Sequence, residues 1–299
     1  MHEILHVLWH SLEHAFLETL KLLPFLFLTY LVMEFIEHHA GSRLERTMTR
    51  TGRLGPVVGA ALGVVPQCGF SSAAAGLYAG RLITRGTLLA VFLSTSDEML
   101  PILISNKAPF GLILKLLASK LLLALVAGLA VDAVMELLRR RRQSREYPDE
   151  IRIRKLCEGE GCHCDEKGVL RSAVEHTLHI FLFLFLVSFV LDFVVHTFGE
   201  ERLASLILHR PILGEALAGL VGLIPNCASS VVLTELFLSG VLPAGTLLAG
   251  LLVNAGVGIL VLFRTNRNRY ESIRIVALLY VIGVLGGILL NLLPTGTWL

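Results

Sequence analysis

Apolar stretches of about twenty residues recur along this chain and constrain its fold more than any other feature. They cover residues 15–36, 111–138, 178–195 and 275–293. Each stretch is long enough to cross about 30 Å of hydrocarbon as an α-helix. Charged residues make up 17% of the chain, whereas soluble domains carry about a quarter. The sequence therefore predicts an all-α polytopic membrane protein. Its first expected partner is the lipid bilayer.

The distribution of arginine and lysine predicts which loops face the cytoplasm. Twenty of the 26 basic residues lie in the segments 38–53, 81–85, 139–171 and 264–274. The loops of the opposite set hold only four, so the positive-inside rule assigns the first set to the cytoplasmic face of the cell (inner) membrane. Both termini are then expected outside the cytoplasm. Because topology explains the basic residues, the net charge of +2 indicates no nucleic-acid partner.

The two halves of the chain repeat each other at an interval of 159 residues, which aligns Pro66 with Pro225 and Cys68 with Cys227. Each half holds five apolar segments, an odd number, so the second half must enter the membrane from the opposite side. The sequence thus predicts two inverted repeats, an architecture in which transporters place the substrate site near the midplane. We expect 1–138 to form the first repeat with a His-rich amphipathic N-terminal helix, 139–169 a cytoplasmic Cys/His linker, and 170–299 the second repeat.

Proline interrupts an apolar region of each half. The segments 54–66 and 211–224 would be only about 20 Å long as helices, and the proline that follows removes a backbone donor. With the segments 70–83 and 228–241 they predict broken, re-entrant helical hairpins whose tips end inside the bilayer, where irregular backbone must be buried or line a wet cavity. A helix is expected next, over 86–105 and over 244–263. The alternative is that the small residues at the tips only allow close helix packing.

Polar side chains at the depth of the tips are the candidate substrate ligands. Thr95 aligns with Asn254, about ten residues into the third apolar segment of each half. An intramembrane carboxylate is by default a functional candidate, so Asp97 could ligate a cation or carry a coupling proton, with Glu98 and Lys120 as further coupling candidates. A purely structural ion pair is the alternative. The predicted substrate-binding residues are Gln67, Cys68, Ser71, Thr95, Asp97, Asn226, Cys227, Ser230 and Asn254.

Cysteine, histidine and carboxylate residues outside the hairpins form candidate metal sites. The linker reads "CEGEGCHCDE", and three thiolates with an imidazole suit zinc, copper(I) or a trivalent metalloid; a linker with incidental cysteines is the alternative. Pairs of carboxylate and imidazole one helical turn apart can bind a divalent metal, although histidine also suits a membrane interface. The candidates are Cys157, Cys162, His163, Cys164, His10, His14, Glu34, His38, Asp192 and His196. No other cofactor is expected.

Two long motifs carry a family resemblance. The stretches "PQCGFSSAAAGLYAGRLITRGTLLAVFLSTSDEMLPIL" and "PNCASSVVLTELFLSGVLPAGTLLAGLLVNAG" closely resemble the bacterial family of ten-helix heavy-metal exporters, whose members are described as arsenic efflux permeases or manganese transporters. The resemblance implies metal or metalloid efflux across the cytoplasmic membrane, so a metal or metalloid substrate is the second expected partner. It assigns the family's motif positions to Pro66, Gln67, Cys68, Asp97, Pro225, Asn226, Cys227 and Asn254.

The sequence therefore favours a secondary-active exporter that works by alternating access around the two hairpin tips, and not an enzyme. Two thiols favour a soft substrate such as arsenite, whereas carboxylate and amide oxygens favour a harder divalent ion such as manganese. Two other classes compete with the exporter. One is a membrane thiol redox enzyme using Cys68 and Cys227, although neither hairpin has a C-x-x-C motif. The other is a sensor that detects metal through the linker cysteines.

Overall fold

Helices and turns make up all of the chain that the computed structural model describes, with no strand among those residues. The description covers residues 54–64, 68–95, 99–142 and 213–292, together with isolated helical residues between 9 and 31 and between 174 and 190. The described helices are α1 (Gly55–Gly63), α2 (Cys68–Ala79), α3 (Arg85–Ser94), α4 (Met99–Ser105), α5 (Phe110–Arg142), α6 (Leu213–Gly222), α7 (Cys227–Leu238), α8 (Ala244–Val253), α9 (Gly258–Thr265) and α10 (Arg269–Leu292). The prediction of an all-α protein is confirmed for this part of the chain.

Four described stretches are long and apolar enough to cross a membrane, by length and composition. They are Arg85–Ser105, Phe110–Leu138, Ala244–Thr265 and Arg269–Leu292. The first and third are 73% and 89% buried inside the protein, whereas the second and fourth are 11% and 33% buried. α3 with α4, and α8 with α9, are therefore core segments, and α5 and α10 present apolar side chains outward, as a lipid-facing helix must.

The sequences of α3 and α8 explain why these helices lie in the core. Every residue from Gly86 to Ser94 and from Gly245 to Val253 is buried. A helix that is apolar on all faces is stable only where all faces are covered. The two helices contact each other, and α5 and α10 pack on their outer sides.

The helix boundaries of the two halves keep the interval of 159 residues seen in the sequence, as in Cys68–Ala79 and Cys227–Leu238. Matching contacts recur at the same interval. The backbone N–H of Gly86 donates to Asp132 Oδ1 at 2.8 Å, and that of Gly245 donates to Asn291 Oδ1 at 2.9 Å. In each half, therefore, the outer long helix caps the first turn of the core helix through one side chain.

The second helix of each half packs against the other half. α2 lies against α9, and α7 lies against α4. A Cβ atom added to Gly258 would lie 2.8 Å from the Cβ of Ser71, closer than real Cβ atoms approach. The first turns of α2 and α9 are thus in direct contact, and only glycine at position 258 allows it.

The helix expected over 244–263 is interrupted, which corrects the sequence prediction. α8 ends at Val253, Asn254 is extended with ψ 96°, and α9 begins at Gly258. The side chain of Asn254 accepts a hydrogen bond from the backbone N–H of Gly256 at 3.0 Å, and Gly256 has φ +53°. An asparagine side chain that bonds to the backbone two residues on competes with the helix, and a glycine supplies the left-handed turn.

The helix expected over 86–105 ends early in the same way. α3 stops at Ser94, Thr95 has ψ 127°, and α4 begins at Met99. Residues 96–98 lie outside the described part of the chain. Polar breaks therefore stand in the third segment of each half as well as between the two short helices that precede it.

Candidate functional site

The polar breaks of the two core helices lie about halfway along the helical length that would cross 30 Å of hydrocarbon. Thr95 and Asn254 each follow a ten-residue helix, which rises about 15 Å from its start. The last carbonyl groups of a helix have no partner within it and form the negative end of its dipole. The C-terminal ends of α3 and α8 therefore present acceptors for a cation.

Lys120 supplies that cation. Its side chain is fully buried, and its Nζ donates to the backbone carbonyl of Thr95 and, at 3.0 Å, to that of Leu251. Thr95 caps α3 in the first half, and Leu251 belongs to the last turn of α8 in the second half. One ammonium group thus joins the broken ends of both halves. Its position, ten residues after the start of α5, is also about mid-depth.

Small hydroxyl side chains lie near the start of α2 and at the end of α3. Ser71 and Ser72 are buried, and Ser71 lies against Gly258 at the start of α9. Ser94 is also buried, at the end of α3, and donates to the carbonyl of Val91 at 3.1 Å. The start of one interrupted helix and the end of another are therefore polar in otherwise apolar surroundings.

The second half has a corresponding polar turn between α6 and α7. Asn226 is buried, and its backbone N–H donates to the carbonyl of Ile224 at 2.8 Å. The hydroxyl of Ser229 donates to the carbonyl of Asn226 at 2.8 Å. Ser230 is buried one turn into α7, and its carbonyl accepts from Thr234 Oγ1 at 2.7 Å. Backbone and hydroxyl groups thus hold the turn in place.

One family model matches residues 3–200, and its description reads "Putative, 10TM heavy-metal exporter". The chain belongs to this exporter family. No curated protein and no solved structure matches the chain. Membership of this family supports transport of a metal. The polar breaks in the core are therefore the candidate site for the transported ion.

Several of the predicted ligand residues are described, and they lie at or beside the breaks. Ser71, Thr95, Asn226, Ser230 and Asn254 are all buried. Cys68 and Cys227 are the first residues of α2 and α7. The remaining predicted site residues lie outside the described part of the chain: Gln67, Asp97, Glu98, His10, His14, Glu34, His38, Cys157, Cys162, His163, Cys164, Asp192 and His196. Among the described residues, no three His, Cys, Asp or Glu side chains are grouped to hold a metal ion.

Glu271 is the centre of a charged cluster that the sequence did not single out. This buried carboxylate, in the first turn of α10, accepts from Nη1 and Nη2 of Arg81 at 2.8 Å and from Nη2 of Arg85 at 2.9 Å. The hydroxyl of Tyr78 donates to it as well. The sequence does contain a signal for this cluster, because Glu271 is an acidic residue among the arginines of 264–274. The count of basic residues by loop does not use that signal.

Glu215 is a second buried carboxylate without a sequence prediction. It lies in the first turn of α6, where it accepts from Asn291 Nδ2 and, at 3.4 Å, from Thr246 Oγ1. Asn291 also caps α8. Glu215 therefore ties the starts of α6 and α8 to the end of α10.

Proposed function

We propose that this member of the family is a secondary-active exporter of a heavy metal or metalloid, which binds its substrate between the interrupted helices of the two halves and releases it by alternating access. The observation that carries this proposal is the bridge made by Lys120 between the broken end of α3 and that of α8. A buried charge at this depth is costly. The buried ammonium group of Lys120 therefore indicates that the backbone carbonyls at the centre of the protein can stabilise a positive charge.

An inverted arrangement of the halves is part of the proposal, and hydrogen bonds at the two ends of α10 support it. The start of α10 is tied to the start of α3 through Glu271 and Arg85, and its end is tied to the start of α8 through Asn291 and Gly245. α10 has 24 residues, about 36 Å. The equivalent helices α3 and α8 then begin on opposite sides of the membrane and run toward each other's starting side.

The short helices support re-entrant hairpins. α1 and α2 have 9 and 12 residues, and α6 and α7 have 10 and 12, so each measures about 14–18 Å and cannot cross 30 Å of hydrocarbon. We propose that each pair enters and leaves on one side, with its turn at the central site. Partly crossing backbone is tolerated where protein covers it, and contacts of α2 with α9 and of α7 with α4 supply that cover.

The proposed ligands are the residues at these turns and breaks. Cys68 and Cys227 offer thiolates, Gln67, Asn226 and Asn254 offer amide oxygens, and Asp97 offers a carboxylate. The hydroxyls of Ser71, Thr95 and Ser230 complete the set. Thiolates suit arsenite, and the oxygen ligands suit a divalent ion such as manganese.

Coupling is proposed to involve Lys120 with Asp97 and Glu98. Thr95, whose carbonyl accepts from Lys120, precedes the two carboxylates by two and three residues. A carboxylate that exchanges a proton or a metal beside a fixed ammonium changes the net charge of the site. That change is what couples one ion to another in a transporter core.

The proposal extends to the whole chain. The repeats comprise 1–138 and 170–299, and 139–169 is a cytoplasmic linker whose cysteines and His163 bind metal before transport. The protein lies in the cell membrane with both termini outside the cytoplasm. In support, the basic segment 81–85 meets the start of α10 within 264–274, as segments on one side of a membrane must. The carboxylate–histidine pairs would serve as further metal sites at the two surfaces.

Transport by the purified full-length chain tests the proposal. Proteoliposomes are loaded with arsenite, manganese(II) or a control alkali cation, and efflux is measured with and without an imposed proton gradient. We expect gradient-dependent efflux of arsenite or manganese, abolished in the Cys68→Ser, Cys227→Ser double variant if the substrate is soft. Absence of efflux for every metal in the panel, from protein that is monodisperse and oriented, would contradict the proposal.

A further inference from the structure

We propose that Tyr78, Arg81, Arg85 and Glu271 form a latch that closes one end of the path between the two halves. The latch residues lie in α2, in the following turn, in α3 and in α10. This inference rests on the proposed function, because a latch has meaning only in a protein that opens. The latch identifies the end of the path that is closed in this structure. It also identifies the bonds to Glu271 as those that must break when that end opens.

The geometry is that of a strong ion pair. Arg81 holds Glu271 with two parallel bonds, Nη1 to Oε1 and Nη2 to Oε2, both 2.8 Å long. Such bidentate pairs are the strongest and most directional of side-chain contacts. Arg85 adds a bond of 2.9 Å from Nη2 to Oε1, and its Nε donates to the hydroxyl of Tyr78 at 3.1 Å. The carboxylate also lies at a helix N-terminus, where a negative charge is stabilised.

Every bond to Glu271 crosses from the first half to the second. Tyr78, Arg81 and Arg85 belong to the first half, and Glu271 belongs to the second. Glu271 is 7% exposed, and the side chains of Arg81 and Arg85 are 29% and 40% exposed. The acid is therefore shielded while the bases still reach solvent, which is the arrangement of a contact that can be opened from the surface.

The backbone at Arg81 shows that its side chain is retained at a cost. Arg81 has φ +61°, a left-handed conformation that favours glycine. The equivalent residue 159 positions later is Gly240, with φ +78°. The second half thus uses the residue that the turn prefers, whereas the first half keeps an arginine there. A strained backbone conformation of this kind is typical of a position whose side chain has a functional role.

The other end of the protein lacks the latch. The positions equivalent to its four residues are Phe237, Gly240, Ala244 and Leu112, none of which carries a charge. If the two halves exchange conformations to switch access, the two ends are not interchangeable. The end that carries Arg81 has an ionic closure to overcome, and the equivalent described positions of the second half provide none.

Thiol labelling from the two sides of the membrane tests the latch independently of transport. Cys68, Cys157, Cys162 and Cys164 are replaced by serine, so that Cys227 is the reporter, and a membrane-impermeant maleimide is applied to right-side-out or inside-out vesicles. Glu271→Gln keeps the shape of the side chain but removes its charge. We expect it to raise the labelling rate from the face of Arg81 roughly tenfold, a factor that corresponds to about 1.4 kcal/mol, without raising it from the other face.

The control is Asp132→Asn. Asp132 accepts from Thr84 and Gly86 at the same end but within the first half, and the second half already uses Asn291 at the equivalent position. Both labelling rates should stay within about twofold of those of the parent, since an asparagine side chain at position 132 can still accept from the backbone N–H of Gly86.

The latch is wrong if Glu271→Gln leaves both labelling rates unchanged or raises them equally from both faces. If Glu271→Gln does not yield a monodisperse protein, Arg85→Gln replaces it, because this half-exposed arginine can be changed with less risk to folding, and the same two outcomes decide. A one-sided increase in labelling, together with no metal transport by the parent chain that keeps all of its cysteines, would support the latch and contradict the exporter. Metal transport by the parent chain, with labelling rates unchanged by Glu271→Gln, would support the exporter and contradict the latch.

Discussion

At the break in the first half, the carbonyl of Thr95 accepts a bond from the Lys120 ammonium, whereas at the equivalent break in the second half the Asn254 side chain accepts from the backbone of Gly256. The residue equivalent to Lys120 is Leu279, which is fully buried. The two halves therefore share helix boundaries, glycine contacts and caps, but they differ in charge. We infer that the shared helix boundaries, glycine contacts and caps maintain the fold, and that the unshared charges act in coupling and closure.

The largest effect is expected at Lys120. Lys120→Met should lower the free energy of unfolding by about 2–5 kcal/mol, because the buried carbonyls of Thr95 and Leu251 lose their donor, and should abolish transport. The measurement is chemical denaturation of the purified protein in detergent, alongside efflux from proteoliposomes. Leu279→Met, at the equivalent position, is the control and should cost under about 1.5 kcal/mol. Similar costs for both variants would remove the distinction between the halves.

Glycine contacts test the shared part of the fold. A Cβ at Gly222 would overlap the carbonyl oxygen of Gly250, and one at Gly63 would lie 2.6 Å from that of Val91. Gly222→Ala and Gly63→Ala should each destabilise the protein by about 1–3 kcal/mol, since backbone cannot move aside cheaply. Gly111, in α5, has open space around it, so Gly111→Ala should be neutral or stabilising in the same denaturation experiment. A loss at Gly111 as large as at Gly222 would show that the helix contacts are misassigned.

The two side chains that bond to the starts of α3 and α8 should give smaller effects. Asp132→Ala removes one acceptor at the start of α3, where the hydroxyl of Thr84 still accepts from the backbone N–H of Thr87. Asn291→Ala removes the acceptor at the start of α8, whose N-cap residue Pro243 makes no side-chain bond. Each loss should cost about 1–2 kcal/mol, the usual range for a capping side chain. Because Asn291 also bonds Glu215, Asn291→Ala should lie at the upper end of that range. Thermal unfolding of the two variants side by side is the measurement, and a cost at only one cap would contradict the repeat.

The smallest effect concerns the two left-handed turns. Gly240→Ala places a side chain at φ +78° and should cost about 1 kcal/mol. Arg81→Gly relieves the strain at the equivalent turn but removes the bidentate bond to Glu271, so it should not stabilise the protein despite the better backbone. A gain in unfolding free energy for Arg81→Gly would indicate that the ion pair contributes nothing.

Much of the fold was predictable because its causes are local. Apolar length gave the long helices α5 and α10, and the prolines and the 159-residue interval gave the short helices near their observed bounds. The interruption of the third segment was missed, because Asn254 and Gly256 stop a helix through a side-chain bond and a left-handed residue that hydropathy does not register. The sequence read Thr95 and Asn254 as residues on a helix, whereas Asn254 is part of the reason that the helix ends.

The site was predictable only in part for a different reason. The bonds from Lys120 to the backbone carbonyls of Thr95 and Leu251 were not predicted, because no pattern of side chains indicates a backbone partner. Glu271 was missed because its partners Arg81 and Arg85 are about 190 residues away in sequence. Such contacts depend on how the two halves pack, and that packing is set by the whole fold.

Metal protection of the two hairpin thiols tests the central claim most directly. In a chain whose linker cysteines are replaced by serine, the maleimide labelling rates of Cys68 and Cys227 are measured while arsenite or manganese(II) is titrated. If both thiols line one substrate pocket, the transported metal slows both reactions together, with the same half-saturating concentration. A metal that the protein transports but that protects neither thiol, or only one of them, would contradict a shared pocket between the two halves.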